Sequence, residues 1–178
     1  MSIFDILLIL VGLGMVALGA YRRFIGSLFL LVGAYVASLS AAIIYEQAAY
    51  GLSAIGKGAH WFEGVVFIVL YFLIFTIFFI VSLFTYSDTS LPQLRFLDPL
   101  LGAVGGLVPA AISMAMLWVG FNFIVSEYWE PYTSYTNLYN FHTGARLGPL
   151  VRQMLSFYLP LLYPFFWISG LPPVFLNW

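Results

Sequence analysis

The sequence predicts an all-α membrane protein: four transmembrane helices followed by an interfacial, proline-broken C-terminal segment. Three observations carry this. The chain of 178 residues is 63% hydrophobic and only 7% charged, with a mean hydropathy of +1.02. A soluble domain of this size carries roughly 25% charged residues, so most of the surface must face lipid. The apolar residues gather into long runs separated by short polar stretches, the pattern of successive bilayer crossings. From Ser126 onward the composition changes, first polar and tyrosine-rich, then apolar but interrupted by proline. The chain therefore divides into a membrane domain over residues 1–125 and an aromatic, partly amphipathic tail over 126–178.

The first span is Ile3–Ala20. A cleavable leader needs a positive segment ahead of its apolar core. Here the early charge is Asp5, and the arginines come after the run, so the run reads as a retained span. The turn Tyr21–Arg23 is too short for anything but a reversal, and the second span, Phe24–Ile44, completes an antiparallel hairpin. Its Gly33, Ala37 and Ala41 recur four apart, a face that lets another helix approach closely. Tyr45–His60 is a polar connection whose Gly51, Gly56 and Gly58 argue against a long helix, and it carries Lys57. The third span, Trp61–Phe84, is bulky, aromatic and β-branched, with almost no small residue in the run from Phe67. It is expected to present a wide face to lipid or to a large apolar partner, anchored by Trp61 and Tyr86.

A second polar loop, Thr85–Leu97, carries Asp88, Pro92 and Arg95. Span four, Pro99–Val125, opens on a proline, suited to a first helical position. Gly102, Gly106 and Ala110 make its packing seam, and Pro109 should kink it. Asp98 just before it, and Asp5 at the start of span one, fit helix caps for the spans they begin; a functional carboxylate at a span end is the alternative. In the tail, Leu150–Tyr158 fits an amphipathic helix lying in the interface. Leu159–Trp178, broken by four prolines, is expected on the membrane surface or against another protein; a re-entrant partial span is the alternative. The positive residues divide evenly between the two sides. The density of Arg22 and Arg23 beside span ends places that turn in the cytoplasm and both termini outside.

Chemistry is sparse. The net charge of −1, without a basic run, predicts no nucleic-acid partner. The absence of cysteine removes disulfides, thiolate metal sites and thiol nucleophiles. His60 and Glu63 make too few ligands for a metal site, His142 lies outside the spans, and Asn122 suits a bond between helices. No span carries a charge near its midpoint, which argues against an ion path or proton relay. No catalytic residue and no cofactor is expected.

Two stretches resemble the colicin V production protein (CvpA) family of small bacterial inner-membrane proteins. One is Phe4–Asp5, then Arg22 and Phe24; the other is Asp98–Pro99–Leu100–Leu101–Gly102 followed by Gly106. Asp5, Arg22, Asp98, Gly102 and Gly106 match the family's motifs, over about Ile3–Val125. The family's glycine after the arginine is Arg23 here, its arginine after the aspartate is Pro99, and a further arginine is Pro109. The aromatic tail is unlike the family's polar ones. The resemblance implies a multi-pass inner-membrane protein linked to colicin export and envelope physiology. The combined expectation is a non-enzymatic scaffold or accessory factor that meets lipid, and membrane-protein partners, through span three and the tail. The alternative is an accessory subunit of a respiratory or photosynthetic complex.

Overall fold

A computed structural model of the protein describes residues 2–52, 59–86, 97–167 and 170–176. Among them every regular element is a helix: α1 (Ile3–Gly51), α2 (His60–Thr85), α3 (Asp98–Ile124), α4 (Tyr132–Thr143), α5 (Gly148–Leu162), and 3-10 turns at Tyr163–Phe166 and Pro173–Phe175. Three helices, α1 to α3, are long and apolar enough to cross a membrane, where the sequence led us to expect four.

The difference lies in α1. Its 49 residues would run roughly 73 Å if straight, more than twice a hydrocarbon core of about 30 Å. It does not run straight, because Arg23 is non-helical, at φ 61 and ψ −172. In the arm before Arg23, Phe4 packs on Trp118 and Phe121, Gly12 faces Met114 and Gly19 faces Gly102 and Gly106. In the arm after it, Ser27 faces Gly105 and Tyr45 packs on Phe123. The first arm therefore runs against α3 and the second runs with it, as a hairpin folded at Arg23. The second arm also continues as helix past Ile44 to Gly51, so the first half of the expected polar connection is helical.

Helix α3 is the centre: half of its most apolar window is buried, against 28% for α1 and α2. It runs through Pro109 as one helix. Lipid tails are as apolar as leucine, so helices in a bilayer are held by close packing and internal hydrogen bonds rather than by escape from water. Both devices are present. A Cβ on Gly102 would lie 2.6 Å from the Arg23 carbonyl carbon, and one on Gly106 would lie 3.0 Å from the Met15 carbonyl oxygen, so these glycines admit the backbone of α1 itself. Helix α2 meets the bundle differently: its bulk fills hollows that small residues leave, Phe78 against Gly33 and Ile68 against Gly120. Its Tyr71 hydroxyl pairs with Ser113 Oγ of α3 at 2.7 Å, fully inside. The stripe Val69, Leu73, Ile77, Ile80 and Phe84 stays exposed, the face expected to meet lipid.

The tail packs partly on the bundle. The amphipathic helix is α5, and it buries Val151, Leu155, Tyr158 and Leu162 against the protein. From Leu159 onward Leu162, Phe166, Val174 and Phe175 are buried, while Leu161, Phe165 and Trp167 stay exposed. Tyr158 pairs with Ser38 of α1, and Tyr35 Oη donates to the Leu161 carbonyl at 2.8 Å, so α5 descends beside the second arm to the level of Ile112, near the middle of α3. The chain then returns, and Phe175 packs its ring 6.0 Å from Phe67, close to the end where α5 began. Lys57, Gly56, Gly58, Asp88, Pro92, Arg95 and Trp178 lie outside the described residues.

Candidate functional site

The buried ionic side chains among the described residues are Asp5, Arg22 and Asp98, and each sits at a helix end. Asp98 is the first residue of α3. Its carboxylate does not cap that helix, whose N-cap is Leu97 without a side-chain cap bond. Oδ1 instead accepts the Phe24 N–H at 3.0 Å, the first amide of the second arm of α1. The reason is topological: the reversal at Arg23 sets a second helix N-terminus beside the one Asp98 begins. Both ends carry unsatisfied N–H groups and partial positive charge, and the Oδ1 bond goes to the neighbouring end at Phe24.

Asp5 repeats the device at the opposite end of the bundle. Oδ2 accepts the Ser2 N–H at 2.8 Å, closing a capping box with Ser2. Oδ1 accepts the Leu147 N–H at 3.0 Å, the N-cap of α5, 142 residues along the chain. Arg22 does the reverse at a helix C-terminus. Its Nη2 donates to the carbonyls of Ser82 at 3.2 Å and Tyr86 at 3.1 Å, where α2 ends in partial negative charge. The structure thus brings Arg22, Asp98, Gly102 and Gly106 together at one end of the α1–α3 seam and sets Asp5 at the other. Gly33, Ala37 and Ala41 line the second arm; the two alanines are fully buried and Gly33 faces Phe78 of α2. Ala110 is buried in α3.

The Asp5 end holds a cavity of about 410 Å³ between α3, α4 and the start of α5. His142, on α4, is buried there, and its Nε2 lies 3.1 Å from Asn122 Oδ1. Burial first, and the nearby Arg152 charge second, lower the imidazole pKa to about 4. The Arg152 guanidinium lies over the Trp118 indole, 5.5 Å from its centre. Nothing in the sequence pattern marked Trp118, His142 and Arg152 as neighbours, since they come from three helices and 34 residues of chain. His60 and Glu63 form a half-exposed pair at 3.5 Å, and among the described residues no three potential ligands gather for a metal.

No curated protein and no solved structure matches the chain. A family model does: colicin V production protein, over residues 4–157. The match takes in both aspartates, Arg22 and the glycine seam. It also passes Val125, where the recognisable motifs stop, to include α4 and most of α5. The chain is a membrane protein of the colicin V production (CvpA) family.

Proposed function

We propose that the protein is a non-enzymatic scaffold or accessory factor of the bacterial inner membrane, with four crossings, serving colicin export or envelope physiology through membrane-protein partners. One observation carries this: the three buried charged groups that match the family's motifs are each engaged in joining helix ends. Residues built into the frame in this way hold a shape, and a held shape is what a scaffold supplies. The exposed stripe of α2 and the exposed Phe157, Phe165 and Trp167 of the tail offer apolar contact area to lipid and partners. Those same tail aromatics favour a second reading, an accessory subunit docked by its tail in a larger respiratory or photosynthetic assembly.

One experiment tests both. The tagged protein is captured in mild detergent, and the eluate is examined by mass spectrometry and visible absorption. Defined partners in a colourless eluate support the scaffold. A stoichiometric, coloured complex selects the second reading. A lone protein that drives flux or turnover after reconstitution overturns both.

A further inference from the structure

Another cavity, of about 560 Å³, lies between the second arm of α1, α3 and α5. That volume is within the roughly 300–1,000 Å³ of small-molecule sites. Val32 and Tyr35 line it from α1, Val108 and Ile112 from α3, and Met154 and Leu161 from α5. The two phenols on its wall are already engaged: Tyr35 Oη donates to the Leu161 carbonyl, and Tyr158 pairs with Ser38. The remaining lining is apolar, so the walls ask for hydrocarbon and for no hydrogen bond.

The cavity is closed toward the Asp5 end and open toward the Arg23 end. At the closed end α5 is packed on α3: a Cβ on Gly148 would lie 2.6 Å from the Trp118 ring, and Val151 and Leu155 are fully buried. At the open end the lining faces continue as exposed apolar residues. Leu28 comes four before Val32, and Val104 and Leu101 come four and seven before Val108. From Ile112 down to Leu101 this trough follows α3 for roughly 16 Å, against about 15 Å for half of a hydrocarbon core. A partner's transmembrane helix crosses the whole core of about 30 Å and would meet α5 halfway. An acyl chain ends at mid-bilayer, where the trough ends.

We propose that this trough holds one acyl chain of a phospholipid from the leaflet on the Arg23 side, with the methyl end of the chain in the cavity beside α5. Three helices enclose that chain, whereas bulk lipid touches a helix on one side only. The extra dispersion contacts make it a bound lipid rather than an exchanging one. The inference rests on α3 crossing the bilayer and does not depend on the scaffold role.

Photolabelling in nanodiscs of phosphatidylglycerol tests it, with a trace of the same lipid carrying a diazirine at the end of one chain. Leu73 is exposed midway along α2, so its adducts give the baseline for bulk lipid at that depth and report that the bundle lies in the bilayer. Adducts on Ile112, Met154 and Leu161 should exceed that baseline about tenfold. A diazirine placed beside the glycerol should label Leu101 instead and leave α5 at the baseline. Ala111→Phe sets a ring in the cavity wall. Val108→Trp does so from a side chain that is 51% exposed and has room to grow. Each variant, with its helix content checked by circular dichroism, should bring the cavity adducts down to the Leu73 level. Equal labelling of Leu73 and the cavity residues, or cavity labelling unchanged in both variants, overturns the proposal. So does a dimer that shields the cavity residues from the probe, since a second copy is then the occupant. Absence of adducts on Leu73 and the cavity alike would remove the bilayer premise, and the proposal with it.

Discussion

At the scale of single residues, the decisive feature is that matching charges meet helix ends: carboxylates at N-termini, a guanidinium at a C-terminus. This fixes how each responds to substitution. Asp98→Asn keeps an oxygen for the Phe24 amide and should be mild, whereas Asp98→Ala strands that amide and should cost about 1–2 kcal/mol in detergent unfolding. If Asn proved as damaging as Ala, the charge itself, not the cap, would be what matters. Arg23 is the converse case. Its φ of 61 and ψ of −172 lie where non-glycine residues are strained by about 1–3 kcal/mol, and the family's motif has glycine at this place. Arg23→Gly should therefore raise the melting temperature, and Arg23→Ala, which keeps a Cβ, should not. His142 gives a pH signature. Its pKa of about 4 in the folded protein lies below the ordinary 6.5, so on acidification the unfolded chain takes up the proton first. The contribution is complete above pH 6.5 and is lost as pH falls toward 4. Melting curves between those values should slope for the wild type and flatten in His142→Gln.

At the scale of elements, the seam between α1 and α3 is set by where glycine is required and where it is not. Gly102 has Arg23 backbone atoms 2.6 and 2.7 Å from where a Cβ would sit, and backbone cannot swing aside. Gly14 has nothing within 4 Å. Gly102→Ala should thus lower stability by roughly 1–3 kcal/mol, while Gly14→Ala is neutral or slightly favourable; equal effects in thermal melts would mean the seam is not a backbone contact. Much of this level was legible in the sequence. The four-residue spacing of Gly102, Gly106 and Ala110 announces a close face, and the apolar runs bound α2 and α3 to within a residue or two. What the spacing does not carry is the partner. Asp98 at a helix start reads as a cap for that helix, because local pattern holds no record that residue 24 lies beside it. The same blindness hid the bonds from Asp5 to Leu147 and from Tyr158 to Ser38, across 142 and 120 residues. The amphipathic pattern of α5 was visible, but apolar residues facing protein and apolar residues facing lipid write the same periodicity.

At the scale of the molecule, the number of crossings depends on one residue. An unbroken α1 would count as a single long helix; folded at Arg23, it lays two antiparallel arms along α3 and sets residues 2, 52, 59 and 125 at one end of the bundle. The arms before and after Arg23 hold 20 and 28 residues, residues 3–22 and 24–51, or roughly 30 and 42 Å, so each is long enough for a hydrocarbon core of about 30 Å. The chain has no cysteine, which makes the test clean. Single cysteines in place of Tyr21, Tyr50 and Tyr128, all at least 75% exposed, can be probed in intact and opened cells with a membrane-impermeant maleimide. With four crossings, positions 50 and 128 label from one side and position 21 from the other. With the arginine-rich turn in the cytoplasm, position 21 is the one that intact cells protect. Labelling of position 21 from the same side as position 50 would mean that the hairpin enters the bilayer without crossing it, and the seam of Gly19, Gly102 and Gly106 would then lie parallel to the membrane rather than through it.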